Sequence, residues 1–342
     1  MRIGFATALA GAVLFSQSIQ AEEVRVAWYG GNWGEAFDAC IAQPFTQATG
    51  IRVIPEIGTS TTSLAKMRQQ SARPVLDVVF LDGGISEVAE AEGLLAPLDS
   101  TALPNMSAMQ PQAIYHANGQ PFAVSVGYYS LGIAYDTREV QHAPESWEAL
   151  WDKQYAGAVI LPSSANSSGI PFLVFLGNMF GATPQDMSPM WAKLKQLDVA
   201  SYYDSSGAAS NAFQAGEAVI GAHFNVGAWD LADKGLPIGF AVPKEGVWAT
   251  DARVHQIKNA PHPEAAQQFI NAAMTPAAAA CLAEKLYLGP AVKGVELPDT
   301  LQQRMPWGLN GSVDTLNLSD WTAVNQARAE MTDTWNRELG RR

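Results

Sequence analysis

Short apolar runs alternate with longer amphipathic segments along the first part of the chain. Residues 24–29 alternate in polarity and are rich in β-formers, which predicts a strand that Gly30 and Gly31 end. The amphipathic segment 35–49 predicts a helix that closes at Gly50. The same rhythm continues with a strand at 51–55, a hydroxyl-capped helix ending at 70, an apolar strand at 77–81 and a helix ending at 92.

The second part of the chain repeats this rhythm. Two short strands, 122–125 and 131–135, are expected on either side of a crossing at 127–129. The further expected elements are a short helix at 146–151, strands at 158–161 and 218–224, a strand ending at 202–203, a helix at 263–286 broken at Pro276 and a terminal helix at 320–339. Strands alternating with helices predict an α/β fold with mainly parallel, open sheets.

The amino terminus has the composition of a secretory signal peptide. A basic residue, Arg2, precedes a charge-free stretch at 3–15, and a small residue, Ala21, stands at the expected cleavage point. The alternative is a membrane anchor, but the apolar stretch is shorter than the roughly 20 residues that a bilayer needs. We therefore expect residues 1–21 to be removed and the mature protein to reside in the periplasm.

Charge and length exclude several classes of protein. The 342 residues include 33 acidic and 21 basic side chains, a formal net charge of −12. Nucleic acids and anionic membranes select basic surfaces, so neither is an expected partner. The length predicts two domains.

Two cysteines, Cys40 and Cys281, lie far apart in the sequence. In an oxidising compartment they are a candidate disulfide, and two separate buried thiols are the alternative.

The sequence contains no recognisable motif for catalysis, metal binding or cofactor binding. The nucleophile elbow, the zinc-protease helix and the dinucleotide glycine fingerprint are absent, and the histidines are scattered. We therefore expect a protein that is not an enzyme and that carries no metal or cofactor.

Several strands end in small or hydroxyl residues that begin a helix, at 58–62, 82–86, 163–168 and 205–207. Ordinary helix capping explains any one of them. Together they indicate a ligand crevice, because ligands of open α/β sheets bind at the carboxyl ends of strands. Aromatic residues and two carboxylates, Asp82 and Asp251, occur near the same strand ends, which suits a small ligand with a charged amine.

Several segments resemble one family across essentially the whole mature chain. They are 45–53, 77–79, 145–151, 215–218, 243–246 and 264–270. In this order and spacing the chain resembles the periplasmic solute-binding proteins of ABC importers, and within them the spermidine/putrescine-binding family.

That resemblance implies a type II periplasmic-binding-protein fold, in which two lobes close on a cleft. Lobe 1 would comprise 22–125 and 252–312, lobe 2 would comprise 126–251, and a terminal helix at 313–342 would pack across them. Both cysteines then fall in lobe 1, which favours the disulfide. The expected ligand-binding residues are Trp33, Asp82, Gly83, Tyr128, Ser164, Phe224, Trp248, Asp251 and Tyr287.

One departure from the family concerns the ligand. Polyamine binders carry an acidic pair in lobe 2, where this chain has Ser163, Ser164, Asn166 and Ser167. A buried second ammonium would lack a counter-ion there, at a cost of several kcal/mol. The expected solute is therefore a compact amine or zwitterion, such as an ω-amino acid or an aminophosphonate, with putrescine and spermidine as the alternative.

The resemblance implies a function without chemistry: a monomer captures the solute and delivers it to permease subunits in the inner membrane. A periplasmic enzyme on the same scaffold and a chemoreceptor partner are the alternatives. A ferric-iron binder is disfavoured, because Phe224 and Asn225 stand where such proteins have paired tyrosines.

Overall fold

The computed structural model describes residues 22–308 and 311–339. The expected signal peptide at 1–21 lies outside the described residues. In the described part of the chain, no helix combines the length and the apolarity that a membrane span needs.

The first part of the chain alternates strands and helices in an order close to the predicted one, and its first three strands are parallel. Its elements are β1 (Glu23–Tyr29), α1 (Asn32–Phe37), a π-helical turn (Asp38–Ala42), α2 (Gln43–Thr49), β2 (Arg52–Gly58), α3 (Ser60–Gln69), β3 (Val78–Asp82), α4 (Ile85–Ala91), β4 (Ile114–Ala117) and β5 (Gln120–Asp136). Short 3-10 turns cover Pro104–Ala108 and Pro111–Ala113. The predicted helix at 35–49 is one continuous helical segment through the π turn, and it ends at Gly50, whose φ of 76° suits glycine.

The second part repeats the alternation and returns to the first. It contains 3-10 turns at Trp147–Trp151 and Lys153–Tyr155, then β6 (Val159–Pro162), α5 (Gly169–Met179), α6 (Ser188–Leu194), β7 (Val199–Tyr203), α7 (Ser206–Gln214), β8 (Ile220–Phe224), α8 (Asn225–Asp233), β9 (Ile238–Ala241) and β10 (Trp248–Gln256). The remaining elements are α9 (Pro263–Ala273), α10 (Pro276–Leu286), α11 (Asp299–Gln302), a 3-10 turn (Val313–Thr315), β11 (Asn317–Leu318) and α12 (Trp321–Glu338).

The strands run in the order β2-β1-β3-β10-β5-β8-β6-β7. The outer strands are parallel on both sides: β1 pairs with β2 and β3, and β6 pairs with β7 and β8. The centre is antiparallel, because β5 and β10 pair with each other and β10 also pairs with β3. The fold therefore has two lobes, each built on one parallel strand set and joined through β5 and β10. The residue limits expected for the lobes stay a prediction.

Two features of this centre differ from the sequence expectation. The two short strands expected at 122–125 and 131–135 are a single strand, β5, because the crossing residues at 127–129 keep pairing with β10. β10 was not predicted, because its sequence contains Thr250, Asp251, Arg253, His255 and Gln256, which are polar although every one of them is buried.

A disulfide joins the cysteines. Cys40 in the π turn and Cys281 in α10 have their Cα atoms 5.6 Å apart. The bond fixes the helices on one face of the first lobe around an aromatic core in which Phe37 and Phe80 stack at 4.4 Å between ring centroids.

Candidate functional site

A cavity of about 590 Å³ lies between the two lobes. On the first lobe it is lined where β1, β2 and β3 end, at Tyr29, Gly58 and Asp82. On the second lobe it is lined just after β6 and β7 and at the end of β8. The carboxyl ends of the parallel strands from both lobes thus meet at one place, as expected for open α/β sheets.

Asp82 is the carboxylate at the centre of this cavity. It is 7% exposed and accepts four hydrogen bonds from hydroxyl groups. Tyr29 and Tyr129 donate to Oδ1 at 2.6 and 2.5 Å, and Ser60 and Ser167 donate to Oδ2 at 2.7 and 2.5 Å. The four donors are divided between both oxygens, so each carboxylate oxygen of Asp82 accepts two hydrogen bonds.

The two phenols remain protonated donors. Burial, together with the neighbouring Asp82 carboxylate, raises the pKa of Tyr29 and of Tyr129 well above the usual value. Neither phenol therefore ionises at neutral pH, and both remain hydrogen-bond donors. Tyr29 and Tyr129 thus serve as hydroxyl donors to Asp82.

Aromatic rings form the wall beside Asp82. Trp33 meets Tyr29 and Tyr129 edge-on, with ring centroids 5.3 and 5.1 Å apart, and Tyr129 meets Phe224 at 5.1 Å. The faces of such rings are electronegative and attract cations or cover alkyl chains.

The opposite wall is the turn at residues 163–168, which we call the Ser163 turn. Ser163 donates to the Asp204 carboxylate, and the side-chain amide of Asn166 donates to the Asp204 carbonyl at 3.2 Å. Ser167, in the same turn, is the donor that reaches Asp82 on the first lobe. This wall therefore brings a second carboxylate to the cavity and also links the two lobes.

The charges of the lining residues sum to a negative value. The described lining contains three aspartates, Asp82, Asp204 and Asp230, and one lysine, Lys234, so their formal charge is 1 − 3 = −2. Lys234 is bound to Asp230 at 2.8 Å across one helical turn. An anionic ligand would meet repulsion here, whereas a cation would be attracted.

The structure brings three of the expected ligand-binding residues to this cavity: Trp33, Asp82 and Phe224. Ser164 is adjacent in sequence to Ala165, which lines it. Five others are not part of the cavity lining: Gly83, Tyr128, Trp248, Asp251 and Tyr287.

Asp251 lies in a separate, buried ionic cluster. Its Oδ1 accepts from Arg253 Nε at 2.9 Å, and Arg253 Nη1 donates to Glu87 at 2.5 Å. The Arg253 guanidinium also lies 3.4 Å from the ring centroid of Tyr115. Burial raises the pKa of Asp251, and the Arg253 cation opposes that rise. The Asp251 carboxylate is thus paired with Arg253 inside the protein and does not line the cavity.

The other displaced residues have structural partners. Tyr128 exchanges two backbone hydrogen bonds with Gly289, at 2.9 and 2.8 Å. Trp248 donates to Ser319 at 2.8 Å and packs against Trp321. Tyr287 donates to Asp233 and accepts from Arg304 Nη1 at 2.9 Å.

The residues that sequence reasoning omitted reach the cavity by long-range contacts. Tyr29 and Asp82 are 53 positions apart, and Ser60 and Asp82 are 22 apart. Their position at a strand end could have indicated two of them from sequence: Ser60 belongs to a hydroxyl run that follows a strand, and Tyr29 ends β1. Asp204 follows β7 immediately and could have been found in the same way.

Among the residues that the structure describes, no group of three or more His, Cys, Asp or Glu side chains could hold a metal ion. The groups available to a ligand in the cavity are carboxylates, hydroxyls and aromatic rings.

Comparison with known proteins gives the class. The family model for bacterial extracellular solute-binding proteins matches residues 41–306. The chain belongs to this family of bacterial extracellular solute-binding proteins.

Particular relatives agree with that class. The chain is 25% identical over 286 residues to the spermidine/putrescine-binding periplasmic protein of Escherichia coli K12, covering 81% of each. It is 24% identical over 308 residues to the gamma-aminobutyric acid-binding protein of Pseudomonas aeruginosa, covering 84% of this chain and 82% of the relative. The fold is similar to that of the PBP MotA from A. tumefaciens B6 in complex with glucopine, with a TM-score of 0.79, 19% identity and coverage of 92% and 99%. The two-lobed periplasmic-binding-protein fold is thereby confirmed.

Proposed function

We propose that this protein captures a small solute with an ammonium group in the periplasm and, as a monomer, delivers it to the permease of an ABC transporter. The observation that carries the proposal is the Asp82 site: a buried carboxylate that hydroxyl donors surround on a cavity of negative formal charge. A buried ammonium needs such a counter-ion, because an unpaired charge in this environment costs several kcal/mol.

The aromatic wall supports the same assignment. Trp33, Tyr129 and Phe224 offer rings beside the carboxylate, so the methylene groups next to an ammonium can lie against apolar surface. A cation near a ring face gains about 0.5–2 kcal/mol. Binding of the ammonium would thus combine one ion pair with ring contacts.

Two classes of solute differ in the group at the end far from Asp82, which is either acidic or a second ammonium. The hydroxyl groups of Ser167 and of Ser205 and Ser206 at the start of α7 line the cavity and suit an acidic end, which favours an ω-amino acid or an aminophosphonate. Asp204 and Asp230 favour a second ammonium instead, which supports the alternative of a putrescine-like or spermidine-like solute. The names of the relatives include both classes, since one binds spermidine/putrescine and another gamma-aminobutyric acid.

Capture would couple to closure of the lobes. Asp82 belongs to the first lobe and Ser167 to the second, and their hydrogen bond crosses the cavity. A solute that contacts both walls favours the closed arrangement by its differential affinity for it. The closed surface would then dock on the permease.

Calorimetric titration of the purified protein tests the amine assignment. Putrescine, γ-aminobutyrate and n-butylamine share an ammonium, and butyrate has none. We expect butyrate not to bind and at least one of the ammonium compounds to bind. Asp82→Asn keeps the shape of the side chain and removes its charge, so the affinity for that compound should fall at least about a hundredfold.

Asp152→Asn is the matched control, because Asp152 is exposed and caps a short turn, a role that asparagine also fulfils. The proposal is wrong if butyrate binds and the amines do not, or if Asp82→Asn binds an amine as tightly as the control does.

A further inference from the structure

The terminal helix α12 packs against the turn that carries Asp82. This turn comprises Asp82, Gly83 and Gly84, and we call it the Asp82 turn. The side-chain amide of Asn325 donates to the carbonyl oxygen of Gly84 at 3.1 Å. Arg328 Nε donates to the amide oxygen of the same Asn325 at 2.9 Å, which fixes the orientation of the amide. One amide of α12 thus holds the backbone two residues from the buried carboxylate.

The approach is close because the turn has no side chains at two positions. A Cβ atom on Gly83 would lie 2.9 Å from the Trp321 ring, and one on Gly84 would lie 2.5 Å from it. The Trp321 ring therefore lies directly against the backbone of the turn. Because the ring and the backbone are in close contact, a displacement of α12 would also displace the turn.

The turn is held from the other side as well. The Glu87 carboxylate accepts from the Gly84 backbone N–H at 2.5 Å and from Arg253 at 2.5 Å. The Gly83 N–H donates to the Asp251 carbonyl at 3.3 Å. The Gly84 carbonyl accepts from the Val88 backbone N–H at 3.2 Å, and Asn325 of α12 supplies the second hydrogen bond to this oxygen.

The geometry of Asp82 depends on this constraint. Its four hydroxyl donors stand on β1, β5, α3 and the Ser163 turn, and they bond it at 2.5–2.7 Å. A displacement of the turn by even part of an ångström would lengthen some of these bonds, and hydrogen bonds weaken steeply outside their narrow range.

We propose that Asn325 is a positioning residue for solute binding at Asp82. It does not line the cavity, and it acts by holding the Gly84 carbonyl so that Asp82 meets both its hydroxyl donors and the solute ammonium. The proposal rests on the role of Asp82 given under Proposed function.

The other end of α12 reaches the opposite wall. Trp335 meets Tyr202 edge-on at 4.7 Å, and Glu338 binds Lys195 at 2.8 Å. Tyr202 lies two positions before Asp204, which lines the cavity from the second lobe. α12 therefore lies behind the strand ends that carry Asp82 and Asp204, which is the position that a positioning element requires.

The test compares variants at one helix position in the full-length protein. Their affinity is measured by calorimetry with whichever of putrescine, γ-aminobutyrate and n-butylamine the wild type binds. Asn325→Ala removes the amide and should lower the affinity about threefold to tenfold, the usual effect of one lost hydrogen bond. Asn325→Leu keeps the volume of the side chain and should show a similar loss, which covers the case in which the alanine variant folds poorly. Asn325→Gln retains an amide donor and should recover at least half of the loss on a logarithmic scale.

Asn336→Ala is the matched control, since Asn336 is an exposed residue of the same helix. Its affinity should equal that of the wild type. The proposal is overturned if Asn325→Leu binds within twofold of the wild type, or if Asn325→Gln loses as much affinity as Asn325→Leu. If Asp82→Asn binds the amine normally, the proposed function itself fails, and this result is separate from the behaviour of the Asn325 variants.

Discussion

Gly84 shows how much one residue determines at this site. Its φ of 89° lies in a region that other residues rarely adopt, and its missing side chain admits the Trp321 ring. Two physical costs would therefore accompany a side chain here, one from the backbone conformation and one from overlap.

We expect Gly84→Ala to be more destabilising than a glycine substitution that incurs the backbone cost alone. Gly50 is the matched position, with a φ of 76° and no atom within 4 Å of an added Cβ. Gly50→Ala should lower the free energy of unfolding by about 1–2 kcal/mol. Gly84→Ala should exceed that by about 1–3 kcal/mol from overpacking. Urea unfolding of both variants measures the difference, and equal losses would contradict the packing argument.

Single residues also show what sequence could predict. Asp82 was expected in the site because it ends a buried strand before two glycines, and it lines the cavity. Asp251 was expected on the same chemistry, yet its partner Arg253 stands two positions further on β10. Alternate residues of a strand share a face, so that pairing was readable from sequence once β10 was recognised as a strand. The contacts of Asp82 with Tyr29 and Ser167 were not readable, because they depend on how distant segments meet.

At the scale of elements, β10 and β8 are buried strands that carry polar side chains. β10 is buried at all nine of its residues, including His255, and β8 buries His223. His255 is placed between the Val79 carbonyl, at 3.1 Å from Nδ1, and Ser86, at 2.8 Å from Nε2. β10 escaped pattern-based prediction, because hydrogen bonds across the structure replace the apolar character that the pattern needs. β8 lies within the strand predicted at 218–224, because His223 is the one polar side chain in an otherwise apolar or small run. The helices α9 and α10 match the predicted Ala-rich helix at 263–286 with its break at Pro276.

The two histidines make stability depend on pH. Burial lowers the pKa of His223 and of His255 to about 3. In the unfolded chain a histidine titrates near about 6.5. Above that pH both states are neutral, and the stability is fully present. As the pH falls from about 6.5 towards 3, only the unfolded state binds the proton, so stability is lost, at about 2 kcal/mol for each histidine by pH 5.

His223→Gln removes one of these titrations. The decline in unfolding free energy between pH 7 and pH 5 should therefore be smaller in this variant than in the wild type. His142→Gln, at an exposed position, is the control and should retain the decline of the wild type. Chemical unfolding at both pH values gives the comparison, and parallel declines in all three proteins would contradict the assignment.

At the scale of the whole molecule, two lobes share one mixed sheet. Sequence predicted the parallel strand sets and the cavity at their carboxyl ends, since both follow from local patterns. It did not predict the antiparallel centre, because the pairing of β5 with β10 joins residues more than a hundred positions apart. The cavity shares the negative formal charge of the chain, because Asp82, Asp204 and Asp230 line it.

The disulfide should contribute to the stability of the whole fold. Cys40 and Cys281 are separated by 241 positions, and a crosslink over a long loop restricts the unfolded chain. The double variant Cys40→Ser/Cys281→Ser should lose about 2–5 kcal/mol of unfolding free energy. Thermal unfolding with and without dithiothreitol measures this: the reductant should lower the Tm of the wild type and leave that of the double variant unchanged. An equal Tm in all four cases would show that the bond contributes nothing.

The same bond makes the chain from Cys40 to Cys281 a covalent ring. Every strand from β2 to β10 lies inside this ring, and α12 lies outside it. A single proteolytic cut within the ring leaves both fragments attached until a reductant opens the bond. A cut in the segment between α10 and α12 detaches the terminal helix from all covalent connection to the lobes. Most residues that line the cavity lie within this ring, whereas Tyr29 and Trp33 precede Cys40 and lie outside it, as α12 does. A single cut within the ring therefore leaves the second-lobe wall of the cavity covalently attached, while a cut after α10 separates the helix α12.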